Sequence, residues 1–204
     1  MHHETEKMLS ILIPCHKEEN VVLFVEELQQ KFPFAHEIII ARDREGKGKG
    51  WALREAFKQC CGTQVAFIDG DGDIPVRMLS RLLPFLEDFD AVVGSKRITK
   101  SPLRRKIMTR LTRIWFKFLF GVHVDTQTGI KLFRKEALDS LDNWDANGFI
   151  FDVEILEQLQ RKGFKLIEVP VEVEIKKQLA FKTIFRITGE SLWLKFRLLF
   201  PLAR

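Results

Sequence analysis

Short apolar runs and amphipathic stretches alternate along the first half of the chain. Residues 9–14 (LSILIP) form an apolar run stopped by proline, the pattern of a buried strand, and residues 21–32 then follow a helical period. The alternation repeats, with strands expected at 37–41, 64–68 and 90–94 and helices at 50–60 and 75–86. Such an order builds an α/β, Rossmann-like fold, a mostly parallel central sheet flanked by helices on both faces. Ligands of these sheets bind beyond the carboxyl ends of the strands. Four loops therefore matter most: PCHKEEN from Pro14, RDREGKGKG from Arg42, DGDGDIP from Asp69 and GSKR from Gly94. No internal repeat, low-complexity tract or linker interrupts the pattern, so residues 1–204 are expected to form one domain.

Two later stretches differ. In 103–120, Leu103, Ile107, Leu111, Ile114 and Phe118 share one helical stripe, with Lys106, Arg110, Arg113 and Lys117 beside it. Phe181, Phe185, Leu192, Phe196 and Leu199 form a second stripe, again close to Lys and Arg. Wide apolar faces flanked by basic residues characterise helices that lie in a membrane interface. Core-packing amphipathic helices carry a similar pattern.

Charge separates the two readings. The chain has a net charge of +5, but residues 91–124 contain nine Lys or Arg and no acid, and residues 175–204 contain seven against Glu190 alone. A basic face of this kind is directed at an anionic partner, and the membrane-facing segments are expected at about 101–121 and 178–200. Solvated helix faces would produce the same runs without a partner. Cys15, Cys60 and Cys61 form no CxxC pair, which gives neither a disulfide framework nor a zinc site and fits a reducing cytoplasm. No signal-peptide pattern and no apolar window of about 20 residues is present. The expectation is a protein peripheral on the cytoplasmic face of a membrane. The five histidines are scattered and receive no role.

Asp69, Asp71 and Asp73 alternate directly after the strand QVAFI. Carboxylates so close repel one another unless a divalent cation joins them, and Mg²⁺ or Mn²⁺ commonly bridges such oxygens to a substrate diphosphate. An EF-hand would start similarly, but Ser80 stands where its closing Glu is needed. A merely polar turn is the bland alternative. The GKGKG run at 46–50 precedes a helix whose first amides, helped by Lys49, can hold phosphate oxygens. Trp51 rules out a P-loop, and a structural turn would also use these glycines.

Taken in order, PCHKEEN, GKGWALREAF, DGDGDIP, VVGSKR, DTQTGIKLFRKEAL, GFIFDVEIL and VPVEV resemble the small family 2 glycosyltransferases of the dolichyl-phosphate mannose synthase type, which have the GT-A fold. The resemblance implies that Asp69 and Asp71 match the metal-holding DxD motif, with Asp73 completing the site. It places Pro14, Glu18, Asp43 and Lys49 in the nucleotide pocket and Arg97 at the donor and acceptor phosphates. Asp125, Gln127 and Gly129 would line the sugar and acceptor side, and Asp152 and Glu154 belong to the matching FDVE segment. Lys176, Lys177 and Lys182 would bind acceptor phosphate. Two departures are visible: Lys17 stands where the family usually has Asn, and the connection after the second strand is short, leaving only Asp43 of a paired-Asp turn.

The resemblance implies inverting transfer of a sugar from a GDP- or UDP-sugar donor to a polyprenyl phosphate acceptor at an anionic membrane surface, with a divalent cation as cofactor. A phosphate acceptor is already ionised and needs no strong base; a hydroxyl acceptor would need one, with Asp152 or Asp125 as candidates. A glycan or soluble acceptor, nucleotidyl transfer and a non-catalytic lipid-phosphate binder stay open. Nucleic acid is not an expected partner, because Tyr is absent and the Phe residues follow helical spacing instead of forming a stacking platform.

Overall fold

The computed structural model describes residues 7–15, 18–96, 103–142, 144–148, 150–173 and 189–197; Arg97, Lys176, Lys177, Lys182, Phe181, Phe185 and Leu199 lie outside them, as do the side chains of Glu18, Leu103, Lys106 and Ile107. Six strands form one sheet: β1 (Leu9–Cys15), β2 (His36–Arg42), β3 (Gln64–Ile68), β4 (Ala91–Lys96), β5 (Ile130–Arg134) and β6 (Leu166–Val171). Their spatial order is β2-β1-β3-β5-β4-β6. Neighbours run parallel except β5, which is antiparallel to both β3 and β4. The mostly parallel sheet follows from the alternation of strands and helices. The reversed strand does not, because a period of two carries no direction.

Successive side chains of a strand point to opposite faces, and each face is covered. Ile11, Ile13, Ala66 and Ile68 meet α1 (Glu18–Lys31) and α3 (Arg77–Leu82), which supply Phe24, Leu28, Leu79 and Leu82. Leu12, Val65, Phe67 and Phe133 meet α2 (Lys49–Phe57) and α6 (Phe151–Arg161) through Leu53, Ala56, Val153 and Leu156. Each such fully buried Leu or Ile stabilises the fold by roughly 1.5–3 kcal/mol. That double covering explains why β1 and β3 read as near-continuous apolar runs, interrupted in β1 only by Ser10.

The helix expected at 75–86 divides into α3 and a 3-10 turn at Leu83–Glu87. Pro84 supplies no N–H and its ring crowds the preceding turn, so the α-helical ladder ends there. The short α5 (Lys135–Asp139) follows β5 directly.

Helix α4 (Leu103–Phe120) divides its apolar residues between two directions. Phe116 and Phe120 are buried in the core, whereas Leu111, Ile114 and Phe118 face outward, Phe118 with 83% of its surface exposed. Residues 189–197 form a helix, α7, that docks through buried Leu194, a hydrogen bond from Trp115 Nε1 to Ser191 Oγ (2.9 Å), and an Arg197–Glu154 ion pair. Its Leu192, Trp193 and Phe196 are exposed. Among the described residues no helix is long and apolar enough to cross a membrane.

Candidate active site

The β1–β2 ladder continues to Cys15 and Arg42, while the β1–β3 ladder ends at Leu12 and Phe67. Beyond that point β1 and β3 separate, and a crevice opens where strand order reverses. Pro14 lies in this stretch, where a missing N–H breaks no ladder bond to β3. Asp69 follows β3 directly, and its amide donates to Gly129 O on the reversed strand's approach (2.9 Å). A methyl group at Gly129 would overlap the Asp69 carboxylate, so only glycine lets the two segments approach this closely.

Lys49, the first residue of α2, reaches across the crevice to Asp69, with Nζ 2.5 Å from Oδ1. Phe151 lies beneath the ammonium, 5.6 Å from its ring centre. Burial pulls the Lys49 pKa down, but the fields of Asp69, Asp152 and Asp71 outweigh it and hold the group above the ordinary lysine value. Lys49 is therefore a fixed positive charge among carboxylates, joining the glycine-rich turn to the end of β3.

The turn itself differs from the phosphate cradle expected from its sequence. The amides of Lys47 and Gly48 donate to Asp43 Oδ1 and Oδ2 (2.8 and 2.7 Å), and the amide of Gly50 donates to Asn147 O (3.0 Å). Asp43 thus takes the place of an external anion in this nest and shapes the turn. Gly48 has φ +107°, and a side chain there would strike Asn147 O. Arg54 fastens the same segment by donating to Trp144 O (2.6 Å) and Asn147 Oδ1 (3.2 Å). The 144–147 segment was not marked by the sequence, since backbone carbonyls leave no side-chain signature. For phosphate oxygens the turn offers the Lys49 ammonium in place of those three amides.

Asp71 is exposed and accepts from the Asp73 amide (3.1 Å), which folds the acidic turn back on itself. Among the described residues, no group of three or more His, Cys, Asp or Glu side chains is gathered as a metal cage. The donor set nonetheless suits Mg²⁺ or Mn²⁺, which need hard oxygens and take only one or two carboxylates when substrate phosphates and water complete the shell.

Deeper in the crevice lies a residue that sequence reasoning missed. Lys131 of β5, only 2% exposed, sends Nζ to Asp152 Oδ1 (2.9 Å) and to Thr128 O (2.7 Å). A lysine alternating with buried Phe133 on an inward strand face was the available signal, because a charge there requires a partner. Asp125, 2% exposed, accepts from the Gln127 amide (2.8 Å) on Oδ1, and from Thr128 Oγ1 (2.9 Å) and more weakly the Lys96 amide (3.4 Å) on Oδ2. It acts as the hub of the loop before β5. Gln127 Nε2 donates to Thr126 Oγ1 (3.3 Å) within that loop. Glu168 of β6, also unmarked by the sequence, takes the Asp125 amide (2.7 Å) and the Arg113 guanidinium (2.5 Å). The structure thus gathers Lys49, Asp69, Lys131 and Asp152 around one crevice, with Asp71 at its edge. Glu154 instead faces α7 and accepts the Ala146 amide (2.7 Å).

Comparison with known proteins gives the family and the fold. The Glycosyl transferase family 2 model matches residues 17–142. Glycosyltransferase AglD of Haloferax volcanii is 29% identical, covering 82% of this chain and 33% of its own. The polyprenol monophosphomannose synthase of Mycolicibacterium smegmatis is 27% identical over 61% of this chain and 48% of its own. The chain thus spans between a third and a half of these relatives. The dolichyl-phosphate beta-glucosyltransferase of Saccharomyces cerevisiae is 24% identical over 83% of this chain and 68% of its own. Glucosyl-3-phosphoglycerate synthase from Mycobacterium tuberculosis, in complex with Mn²⁺ and UDP-glucose, superimposes with a TM-score of 0.71 at 16% identity, over 93% of this chain and 79% of that one. The shared architecture is the GT-A fold. By the match of its sequence across most of the described core, the chain belongs to glycosyl transferase family 2.

Proposed function

We propose that this chain transfers a sugar, with inversion, from a nucleotide-diphospho-sugar to a polyprenyl phosphate at an anionic membrane surface. The observation that carries the reading is the Lys49–Asp69 contact, which brings the glycine-rich turn and the acidic turn to one point of the crevice. A leaving diphosphate needs positive charge on both sides: Lys49 would supply it from the glycine-rich turn, and a divalent cation held by the acidic turn would supply it from the other. Asp69 and Asp71 would hold a divalent cation, with Asp73 beside them, and that cation would neutralise charge developing on the diphosphate. Lys49 would hold a phosphate oxygen if Asp69 served the cation. Lys131 fixes Asp152, so that this carboxylate faces the sugar from a defined position. Asp125 orients the loop that carries Gln127 and Gly129. Arg97, Lys177 and Lys182, beyond the described residues, remain proposed phosphate contacts.

Acceptor chemistry follows from how the carboxylates are engaged. Asp125 accepts three hydrogen bonds within its own loop and strand end, and Asp152 faces the Lys131 ammonium. Neither is arranged to take a proton from an attacking hydroxyl, whereas a phosphate oxygen attacks already ionised. The relatives named for polyprenol and dolichyl phosphates support this choice. The exposed apolar residues of α4 and α7, with Arg110 and Lys195 nearby, support contact with an anionic bilayer.

The test combines binding and transfer. UDP- and GDP-sugars with Mn²⁺ should raise the melting temperature, since a ligand specific for the folded state stabilises it. Asp71→Asn should abolish that cation-dependent rise and the transfer of labelled sugar to polyprenyl phosphate. Undiminished transfer by Asp71→Asn, or transfer only to soluble hydroxyl acceptors, would overturn the assignment.

A further inference from the structure

An open cavity of about 210 Å³ lies between α4 and the turn that follows it, with Val124, the residue before Asp125, in its wall. Its walls are Arg113, Ile114, Lys117, Val122, His123 and Val124. Half of these are cationic or imidazole side chains and half are aliphatic, and no acid lines the cavity. Ile114 belongs both to the cavity wall and to the outward stripe of Leu111, Ile114 and Phe118, so an apolar track leaves the cavity along the surface of α4. Whole ligands of drug size occupy cavities of about 300–1,000 Å³, so this smaller one suits a head group and its first carbons, with the rest of the molecule outside.

The cavity is also tied to the loop before β5. Arg113 is held by Glu168, and the same carboxylate accepts the Asp125 amide (2.7 Å). A charge entering beside Arg113 is thus linked through Arg113–Glu168 and Glu168–Asp125, two hydrogen bonds, to the loop that carries Gln127 and Gly129. Lys117 forms no ion pair among the described residues and reaches solvent at the cavity mouth.

We propose that this cavity binds the phosphate of a long-chain isoprenoid phosphomonoester, with Lys117, Arg113 and His123 toward the phosphate and the chain leaving over Ile114 and Phe118. The inference deepens the acceptor reading above and rests on it. It adds a holding site outside the crevice, on residues separate from Lys177 and Lys182.

Binding without turnover tests it. The 204-residue chain is floated with phosphatidylcholine vesicles that contain either a polyprenyl monophosphate or phosphatidylglycerol at equal surface charge. Wild type should prefer the polyprenyl phosphate. The double variant Lys117→Met/His123→Ala, at two exposed positions, should lose about tenfold of that binding, the scale of one charge-assisted contact, while its binding to phosphatidylglycerol changes by less than about twofold. Phe118→Ser should weaken both. Equal losses of the double variant on both vesicles would reduce the cavity to general surface charge and overturn the proposal, as would no loss on either. Displacement by millimolar inorganic phosphate would mean a simple anion hole and would equally overturn it. Sugar transfer to detergent-dispersed polyprenyl phosphate, measured separately on wild type, tells the two readings apart: failed transfer with an intact vesicle preference rejects the acceptor chemistry alone.

Discussion

Gly129→Ala separates folding from function at the crevice. A β-carbon at this position would stand 2.6 Å from Asp69 Cγ and 3.1 Å from Asp69 Cβ. Ordinary carbon contacts lie near 3.5–4.0 Å, so the carboxyl must move by about 1 Å. Asp69 has a short side chain and is about one-third exposed, so the movement is open to it. Leaving its preferred rotamer costs roughly 0.5–1.5 kcal/mol. Loss of the bond to Lys49, discounted because both side chains reach solvent, adds on the order of 1 kcal/mol. At about 2–4 °C per kcal/mol for a chain of this size, melting should fall by only about 3–10 °C. Activity should suffer far more, because a 1 Å misplacement of a reacting constellation lowers rates by about a hundredfold, near 2.7 kcal/mol in the barrier. Circular dichroism melts, Mn²⁺-dependent donor binding by calorimetry, and initial rates of sugar transfer read the three quantities. A variant that melts within this range yet binds donor and turns over like wild type would refute the placement of Asp69 at the metal and diphosphate.

Two further outcomes follow from buried charge. Lys131→Met leaves Asp152 without its cation and should destabilise the fold by about 3 kcal/mol, whereas adding Asp152→Leu should recover most of that loss; urea midpoints for both variants check it. Glu37 lies in a different setting: burial raises its pKa, but hydrogen bonds from the Ser10 hydroxyl and the Cys61 and Gly62 amides outweigh burial and hold it below the ordinary 4.5. Its contribution is therefore present above pH 4.5 and lost as pH falls through the lowered value, so Glu37→Gln should flatten the acid side of the stability profile, measured by urea unfolding across that range.

Much of this architecture was legible from pattern alone. The strand at Gln64–Ile68 and the helix at Leu103–Phe120 have the expected bounds, because a proline, glycine or acidic turn closes each apolar period. Asp69 and Lys49 were marked by residue type next to a strand end and a helix start. What stayed hidden depends on tertiary approach. The direction of β5, the pairing of Lys131 with Asp152, and the closure of Asn147 over the glycine-rich turn join segments far apart in sequence. The turn illustrates the difficulty: its amides suit an external phosphate and an internal carboxylate equally well, and only the position of Asp43 shows that its side chain takes the Lys47 and Gly48 amides.

The reversed fifth strand has a consequence for biosynthesis. Because β5 pairs with β3 on one side and β4 on the other, the centre of the sheet remains unfilled until residue 134 has left the ribosome. The earlier strands cannot close a core by themselves, so folding must wait for pairing across long stretches of chain, which is intrinsically slow. A chain cut after β4 should expose the unsatisfied flank of β3 and depend on chaperones, and splitting the molecule there should yield two insoluble fragments instead of two independent halves.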